Sequence, residues 1–190
     1  TTEVKKRILS SRIDTTKKLV NSLLRFQGNV NSFISASAIG YYGDRGDEEL
    51  TEASTPAAGF LSKVCQDWEN EALRAREVAK RVSILRIGIV LGKNGGALEK
   101  MLPPFLSGVG GALGDGKQWM SWIHINDLVD MFVWCVENSG AYGVYNAVSP
   151  SPVTNEMFSE CLAKALNKKL FLSVPKIALG VLYGEISEIL

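Results

Sequence analysis

The sequence predicts an α/β fold on an open parallel sheet, and three observations carry that prediction. Helical and extended periodicities alternate along the chain, which is the pattern of strands joined by right-handed crossovers. The run Val82-Ser83-Ile84-Leu85-Arg86-Ile87-Gly88-Ile89-Val90-Leu91 is almost continuously apolar, as expected of a strand covered on both faces. Polar, glycine-bearing loops follow both early strands, at the end where open α/β sheets bind ligands.

Each element has its own signal. Val4, Ile8, Leu9, Ile13, Leu19, Val20 and Leu23 define a helix over 3–26, ending before Gly28. Val30 to Ser35 reads as a buried strand, followed by a polar loop through Gly43-Asp44-Arg45-Gly46-Asp47 to Ala58. Leu61, Val64, Cys65, Trp68 and Ala72 at i, i+3, i+4 spacing predict a helix over 60–78. The strand 82–91 follows. Residues 92–116 are rich in glycine and proline, with a short helix at 97–106, and read as an excursion into a smaller lobe. A strand at 121–125 and a helix at 127–137, capped by Asn126 or Asp127, return to the main domain. Val144–Val148 is a further strand. Thr154 caps a helix over 155–166 whose inward residues are Phe158, Cys161, Leu162, Ala165 and Leu166.

Composition narrows the function classes. The chain has 190 residues, 46% of them apolar, and a net charge of +1. That is a soluble globular composition with no field favouring nucleic acid. No apolar run approaches the roughly 18 residues a bilayer requires. Cys65, Cys135 and Cys161 are odd in number and lack metal spacing, so they read as buried hydrophobes in a reducing, cytoplasmic setting. No metal site is expected. The opening residues lack the apolar core of a secretory signal. The chain starts inside a helical pattern and stops at Ile186-Ser187-Glu188-Ile189-Leu190 without a breaker, so it is expected to be an internal piece of a longer protein.

Several side chains are suited to chemistry. Ser35-Ala36-Ser37-Ala38-Ile39-Gly40-Tyr41-Tyr42-Gly43 leaves a buried strand directly. Hydroxyls there are placed to bond a carbonyl or hydroxyl undergoing hydride transfer, and a tyrosine can serve as general acid or base. A turn built for backbone geometry fits the same residues. One of Tyr41 and Tyr42 is expected to pack and the other to face the pocket. His124, the only histidine, shares a strand face with Trp122; it is either a pocket residue or a strand histidine satisfied by backbone. Arg86 sits in an apolar strand, so its guanidinium must find a carboxylate or backbone carbonyls. Gly92-Lys93-Asn94-Gly95-Gly96 and Gly108-Val109-Gly110-Gly111 read as loops, not as a dinucleotide turn.

These segments resemble a known family. Phe33–Asp44 is similar to the "fiSSaxvYGd" stretch of extended short-chain dehydrogenases/reductases. Leu85–Gly92 resembles "lRxxnvyGp", Gly114–Asp127 resembles "GdGxqxRdfihVdDva", and Tyr145–Ser149 resembles "yNvgs". The doubled Tyr-Tyr-Gly, the run 95–105 and Trp-Ile-His-Ile are similar to the "epimerase family protein" group, related to cell-division inhibitors. The resemblance implies a Rossmann-like doubly wound sheet whose N-terminal cofactor half lies upstream, with a small substrate lobe. It divides the chain into 1–92 (cofactor domain), 93–120 with 149–190 (substrate lobe) and 121–148 (return to the cofactor domain).

The resemblance also implies roles. Catalytic positions fall on Ser37, Tyr41, Tyr42 and His124; cofactor positions on Ser35, Ala36, Arg86 and Gly88; substrate positions on Arg12, Gln118, Trp122 and Asn146. The implied cofactor is NADP, with NAD as the alternative. Three departures stand out. The family's helix asparagine falls near Arg12, which is either a helix-surface ion-pair residue or a fixed cation for an anionic substrate. The family's Tyr-x-x-x-Lys pair should fall within Gly59–Val64, but Phe60 and Val64 occupy its spacing. Met120 stands where sugar-nucleotide enzymes commonly carry a diphosphate-binding arginine, and the stripe Trp119, Met120, Trp122 suits a partly apolar ligand. The expected function is an NADP-dependent oxidoreductase or epimerase-like enzyme for a small polar, non-diphosphate substrate. The alternative is a catalytically weak NADP-binding regulator. A small molecule is the expected partner, with no nucleic acid and no membrane, and the oligomeric state stays open. Ser37, a tyrosine of the pair and His124 are expected to meet in one pocket.

Overall fold

A computed structural model describes residues 2–26, 28–93 and 95–170. The chain forms two compact units, residues 1–88 with 126–148 and residues 89–125 with 149–190, each described by itself below.

The first unit is an α/β layer structure. Its opening helix is interrupted: α1 (Thr2–Leu9) and α2 (Thr15–Phe26) are separated by a π-helical segment, Ser10–Asp14. Strand β1 (Phe33–Ala38) begins later than the apolar run suggests, because Val30 makes only an isolated bridge to Ala79. Helix α3 (Phe60–Leu73) continues as a 3-10 turn through Glu77. Strand β2 (Val82–Ile87) pairs in parallel with β1, Phe33 opposite Val82 and Ala38 opposite Ile87.

The central strand is buried on both faces. On one, Phe33, Val82 and Ile84 pack with Val20 of α2 and Ala72 of α3. Ser83 and Leu85 point the other way and are equally enclosed. The Ser83 hydroxyl there donates to the Ala141 carbonyl (3.1 Å) and lies beside the Cys135 thiol. Each such large aliphatic side chain contributes roughly 1.5–3 kcal/mol on burial.

The apolar run 82–91 is not one strand. It divides at Gly88, whose N–H donates to the Ala147 carbonyl (3.1 Å), while the Ile89 N–H donates to Ser121 (2.8 Å). Residues beyond the glycine form β3 (Ile89–Gly92) in the second unit. After α4 (Gly96–Leu106) and the short β4 (Trp119–Met120), strand β5 (Trp122–His124) pairs in parallel with β3. The strand expected to return to the main domain thus stays in the second unit, paired with the far half of the split run, and the chain rejoins the first unit from Asn126 on. Helix α5 (Ile125–Glu137) starts before either expected cap, so Asp127 lies in its first turn, where it favours the helix dipole. Strand β6 (Gly143–Ala147) completes the order β1-β2-β6, all parallel.

Two further expectations change in the second unit. Where a loop was expected after β3, Gly92 bridges to Gly95 and Leu91 to Gly96, and α4 starts at once. Strand β7 (Val153–Thr154) pairs with β4 and leads into α6 (Asn155–Ala165), capped by the Thr154 hydroxyl on the Met157 N–H (3.3 Å). Helix α6 turns Asn155, Ser159 and Ala163 inward, and Cys161 is exposed. The rotation is set by Asn155. Its amide oxygen accepts from Leu113 N–H (2.7 Å) and its nitrogen reaches the Met120 sulfur (3.2 Å). Gly116 is required alongside: its φ is +72°, and a Cβ would sit 3.0 Å from that of Glu156. The closing stretch 186–190 lies outside the described residues. No helix among those described is long and apolar enough to cross a membrane.

The cysteines yield a test. Burial pushes the Cys65 and Cys135 thiols up from their ordinary value, so each carries less thiolate than a free thiol at any pH near 8. A thiol-specific reagent at that pH is expected to label Cys161 first, and Cys65 and Cys135 only on unfolding. The folded state then holds protons that the unfolded state releases, so stability falls as pH rises through the thiol range. Peptide mapping after partial labelling checks this; early modification of Cys65 contradicts it.

Candidate functional site

The site is built around Arg86. This residue is 3% exposed, on the central strand of the parallel sheet. Its expected carboxylate partner is Glu69 of α3. The Arg86 Nε donates to Glu69 Oε1 and Nη2 to Oε2, both at 2.9 Å, a bidentate fork. Burial alone would lower the Arg86 pKa, but the hydrogen bonds from Glu69 and Tyr42 prevail and hold it above the ordinary arginine value.

The remaining guanidinium nitrogen and the carboxylate organise the neighbours. Arg86 Nη1 donates to the Tyr42 hydroxyl (2.9 Å) and to the Glu52 carbonyl (3.3 Å). The Tyr42 hydroxyl in turn donates to Asn146 Oδ1 (2.6 Å). The Glu52 carboxylate accepts the Asn146 N–H (2.7 Å). The Ser37 hydroxyl donates to Glu69 Oε1 (2.6 Å). The Tyr41 ring lies over the guanidinium, 3.4 Å from its central carbon, edge-on to Tyr42.

Strand alternation explains why Ser37 is enclosed. Phe33, Ser35 and Ser37 are the buried positions of β1, and Phe33 and Ser37 meet Ala72 and Glu69 of α3. The Ser37 hydroxyl is therefore spent on Glu69 at the helix interface. Ser35 is also buried, with its hydroxyl on the Ala36 carbonyl (3.0 Å). Arg86, which the resemblance places at the cofactor, has every guanidinium nitrogen engaged within the protein. Gly88 uses its N–H on Ala147, and Asn146 its amide oxygen on Tyr42. Of the two tyrosines, Tyr42 is the enclosed one, and Tyr41 is half-buried at the carboxyl end of β1.

Arg12 lies in the π-helical segment. Among the described residues it pairs with no carboxylate; its guanidinium stands over the Trp68 ring at 5.6 Å, with Nη1 on the Ser11 hydroxyl (3.1 Å). Trp68 is anchored by Thr16 (2.9 Å). Phe60 opens α3 and lies under the Lys5 ammonium, Lys63 pairs with Asp67, and Val64 is buried.

His124, Trp122 and Gln118 belong to the second unit. His124 is exposed at the end of β5, opposite Leu91, and Trp122 is half-buried. Gln118 braces its own loop, donating from Nε2 to the Leu113 carbonyl (3.1 Å). The anticipated apolar stripe is split: Met120 is 4% exposed and Trp119 48%. No group of three or more metal-ligating side chains occurs among the described residues.

Glu69 and Glu52 were not anticipated. A signal existed for Glu69: it falls four residues after Cys65 and three before Ala72, on the buried stripe of its helix, and Arg86 interrupts an apolar strand. Two lone opposite charges in two buried elements require each other. Removing one partner leaves the other buried and unpaired, which costs about 3–5 kcal/mol. Glu69→Gln is expected to destabilise the protein by about that amount in denaturant unfolding, and Glu69→Leu with Arg86→Met by less than either single change. A Glu69→Gln variant as stable as the parent would show that the pair is dispensable.

Comparison with known proteins fits this geometry. Residues 2–147 match the NAD dependent epimerase/dehydratase family. The chain is 40% identical over 185 residues to the chloroplastic epimerase family protein SDR39U1 homologue of Arabidopsis thaliana, covering 96% of this chain and 53% of that protein. It is 35% identical over 188 residues to the epimerase family protein YfhF of Bacillus subtilis, covering 98% and 62%. The human epimerase family protein SDR39U1, solved with NADPH, superposes with a TM-score of 0.91 at 30% identity, over 100% of this chain and 64% of that one. The chain thus spans about half to two thirds of these relatives. With its α/β architecture and this match over most of its length, the chain belongs to the NAD dependent epimerase/dehydratase family.

Proposed function

We propose that the whole protein is an NADP(H)-dependent oxidoreductase or epimerase-like enzyme acting on a small polar substrate without a diphosphate. NAD is the alternative cofactor. No nucleic acid or membrane partner is proposed. The observation that carries the reading is Tyr41, half-buried at the carboxyl end of β1 with its ring plane held by Arg86. The NADPH-bound human relative supports the cofactor.

The residues present suit a nicotinamide. Ala36 and Ala38, on the side of β1 away from Ser35 and Ser37, carry only methyl groups, so a flat ring can approach the strand end. Bound there, the cofactor supplies or accepts a hydride. In the reductive direction Tyr41 donates its phenolic proton at the substrate oxygen; in the oxidative direction it takes that proton back. Ser37, Glu69, Arg86 and Tyr42 position Tyr41. Arg12, stacked on Trp68 and without a carboxylate, is assigned to an anionic or strongly polar substrate group.

A second reading has its own support. Phe60 and Val64 stand at the Tyr-x-x-x-Lys spacing, and the Ser37 hydroxyl is enclosed. These features favour a catalytically weak NADP-binding regulator. Loss of NADPH absorbance across a panel of small carbonyl compounds separates the two, with the cofactor-induced rise in melting temperature as the binding readout. Tyr41→Phe is expected to lower turnover by roughly 10²-fold and leave the thermal shift in place. Unchanged turnover would remove Tyr41 from the chemistry, and a thermal shift with no turnover of any compound by the parent favours the regulator.

A further inference from the structure

At the amino end of the parallel sheet lies a cleft of about 270 Å³, lined by Arg76, Lys80, Arg81, Val82, Ser139 and Tyr142. It is distinct from the Arg86 cluster, which gathers toward the carboxyl ends of the strands. We propose that this cleft binds the phosphate group of a small ligand.

Three features support it. The first is uncompensated charge. Arg76, Lys80 and Arg81 line the cleft together, and no carboxylate pairs with any of them among the described residues. Three cations around one space suit a multiply charged anion better than a single carboxylate. The second is Arg81. Its terminal nitrogens are fixed by the carbonyls of Asn31, Cys135 and Val136, which caps α5. Those acceptors are neutral, so the guanidinium keeps a full charge in a set orientation. Its Nε is enclosed and has no hydrogen-bond partner among the described residues. A buried donor left unpaired is costly, and an enclosed water is a recognised explanation; the cleft meets the charge of the guanidinium as a whole.

The third feature is construction. Tyr142 is 71% exposed, yet its backbone is tightly held. The Tyr145 hydroxyl accepts from the Tyr142 N–H and donates to its carbonyl, both at 3.1 Å, and the Tyr145 ring packs edge-on against Trp134. The turn before it is closed by the Asn138 side chain on Gly140 N–H (2.8 Å) and by Ser83 on the Ala141 carbonyl. An aromatic ring is thus presented at the mouth of a cationic cleft by a braced turn, and it offers a stacking face for whatever carries the phosphate.

Inorganic pyrophosphate is the probe, titrated into the protein by calorimetry and followed by amide chemical shifts. Saturable binding is expected, with shifts at residues 76–82 and 138–142. Arg76→Gln with Lys80→Gln should weaken it by about tenfold or more, the change that losing one charge-assisted hydrogen bond implies. Both side chains are exposed, so the fold is unaffected. Lys17→Gln with Lys18→Gln removes the same charge from exposed positions of α2 and should leave affinity unchanged. Equal weakening by both pairs would mean diffuse surface attraction and overturn the proposal. So would the absence of saturation at millimolar pyrophosphate, or shifts confined to other residues.

Discussion

The Arg86–Glu69 ion pair is the constraint on which the first unit depends. Taking two charges out of water is expensive, and Coulomb attraction repays it only when geometry is good and every remaining donor and acceptor is satisfied. Here the fork is bidentate, and Ser37, Tyr42 and the Glu52 carbonyl take up what the pair leaves over. Those partners come from β1, the turn after it and the 43–58 loop, while Asn146 of β6 is joined through Tyr42. A long polar loop with little regular structure of its own is thereby tied to the sheet at a defined point.

The same arrangement limits the chemistry left to this end of the sheet. A hydroxyl that donates to a buried carboxylate is no longer free to donate to a substrate. Ser37 is spent in this way and Tyr42 on the Asn146 amide oxygen, while Tyr41 is held by its ring, its hydroxyl making no hydrogen bond among the described residues. Ring stacking over a guanidinium restrains orientation without consuming the polar tip. Arg12 follows the same logic: its guanidinium stands over Trp68, and among the described residues it donates only to the Ser11 hydroxyl. A π-helical turn inside a helix is rare and occurs frequently at functional sites, and here that segment holds Arg12.

Much of the architecture was legible because periodicity reports which face is covered. Alternating helices and strands, the buried central strand and the Thr154 cap all follow from local patterns. The failures have physical causes. An apolar run has no internal punctuation except Gly88, and a glycine in a strand is compatible with continuation, so the division into β2 and β3 needed the partners Ala147 and Ser121 to be known. Helix α6 is apolar on more than one side, and its rotation is decided by Asn155, a polar residue that apolar counting ignores. At the site, the need of Arg86 for a carboxylate was visible, but its identity was not, because pairing between elements has no local signature. The choice between Tyr41 and Tyr42 was equally closed to the sequence: adjacent residues of one turn differ only in which way the turn aims them.

The departures from the family pattern also make sense together. Phe60 and Val64 stand where the resemblance places the family's tyrosine and lysine, and α3 keeps its place against β1 and β2. It does so because its attachment does not rely on that pair. Ala72 anchors it in the apolar layer, and Glu69 anchors it to Arg86 across the sheet. The attachment of the helix through Glu69 and Ala72 is separate from Phe60 and Val64 nearer its start. Fold and chemistry can then diverge independently, which is how a chain superposing on its NADPH-bound human relative can lack the Tyr-x-x-x-Lys relay at the expected position.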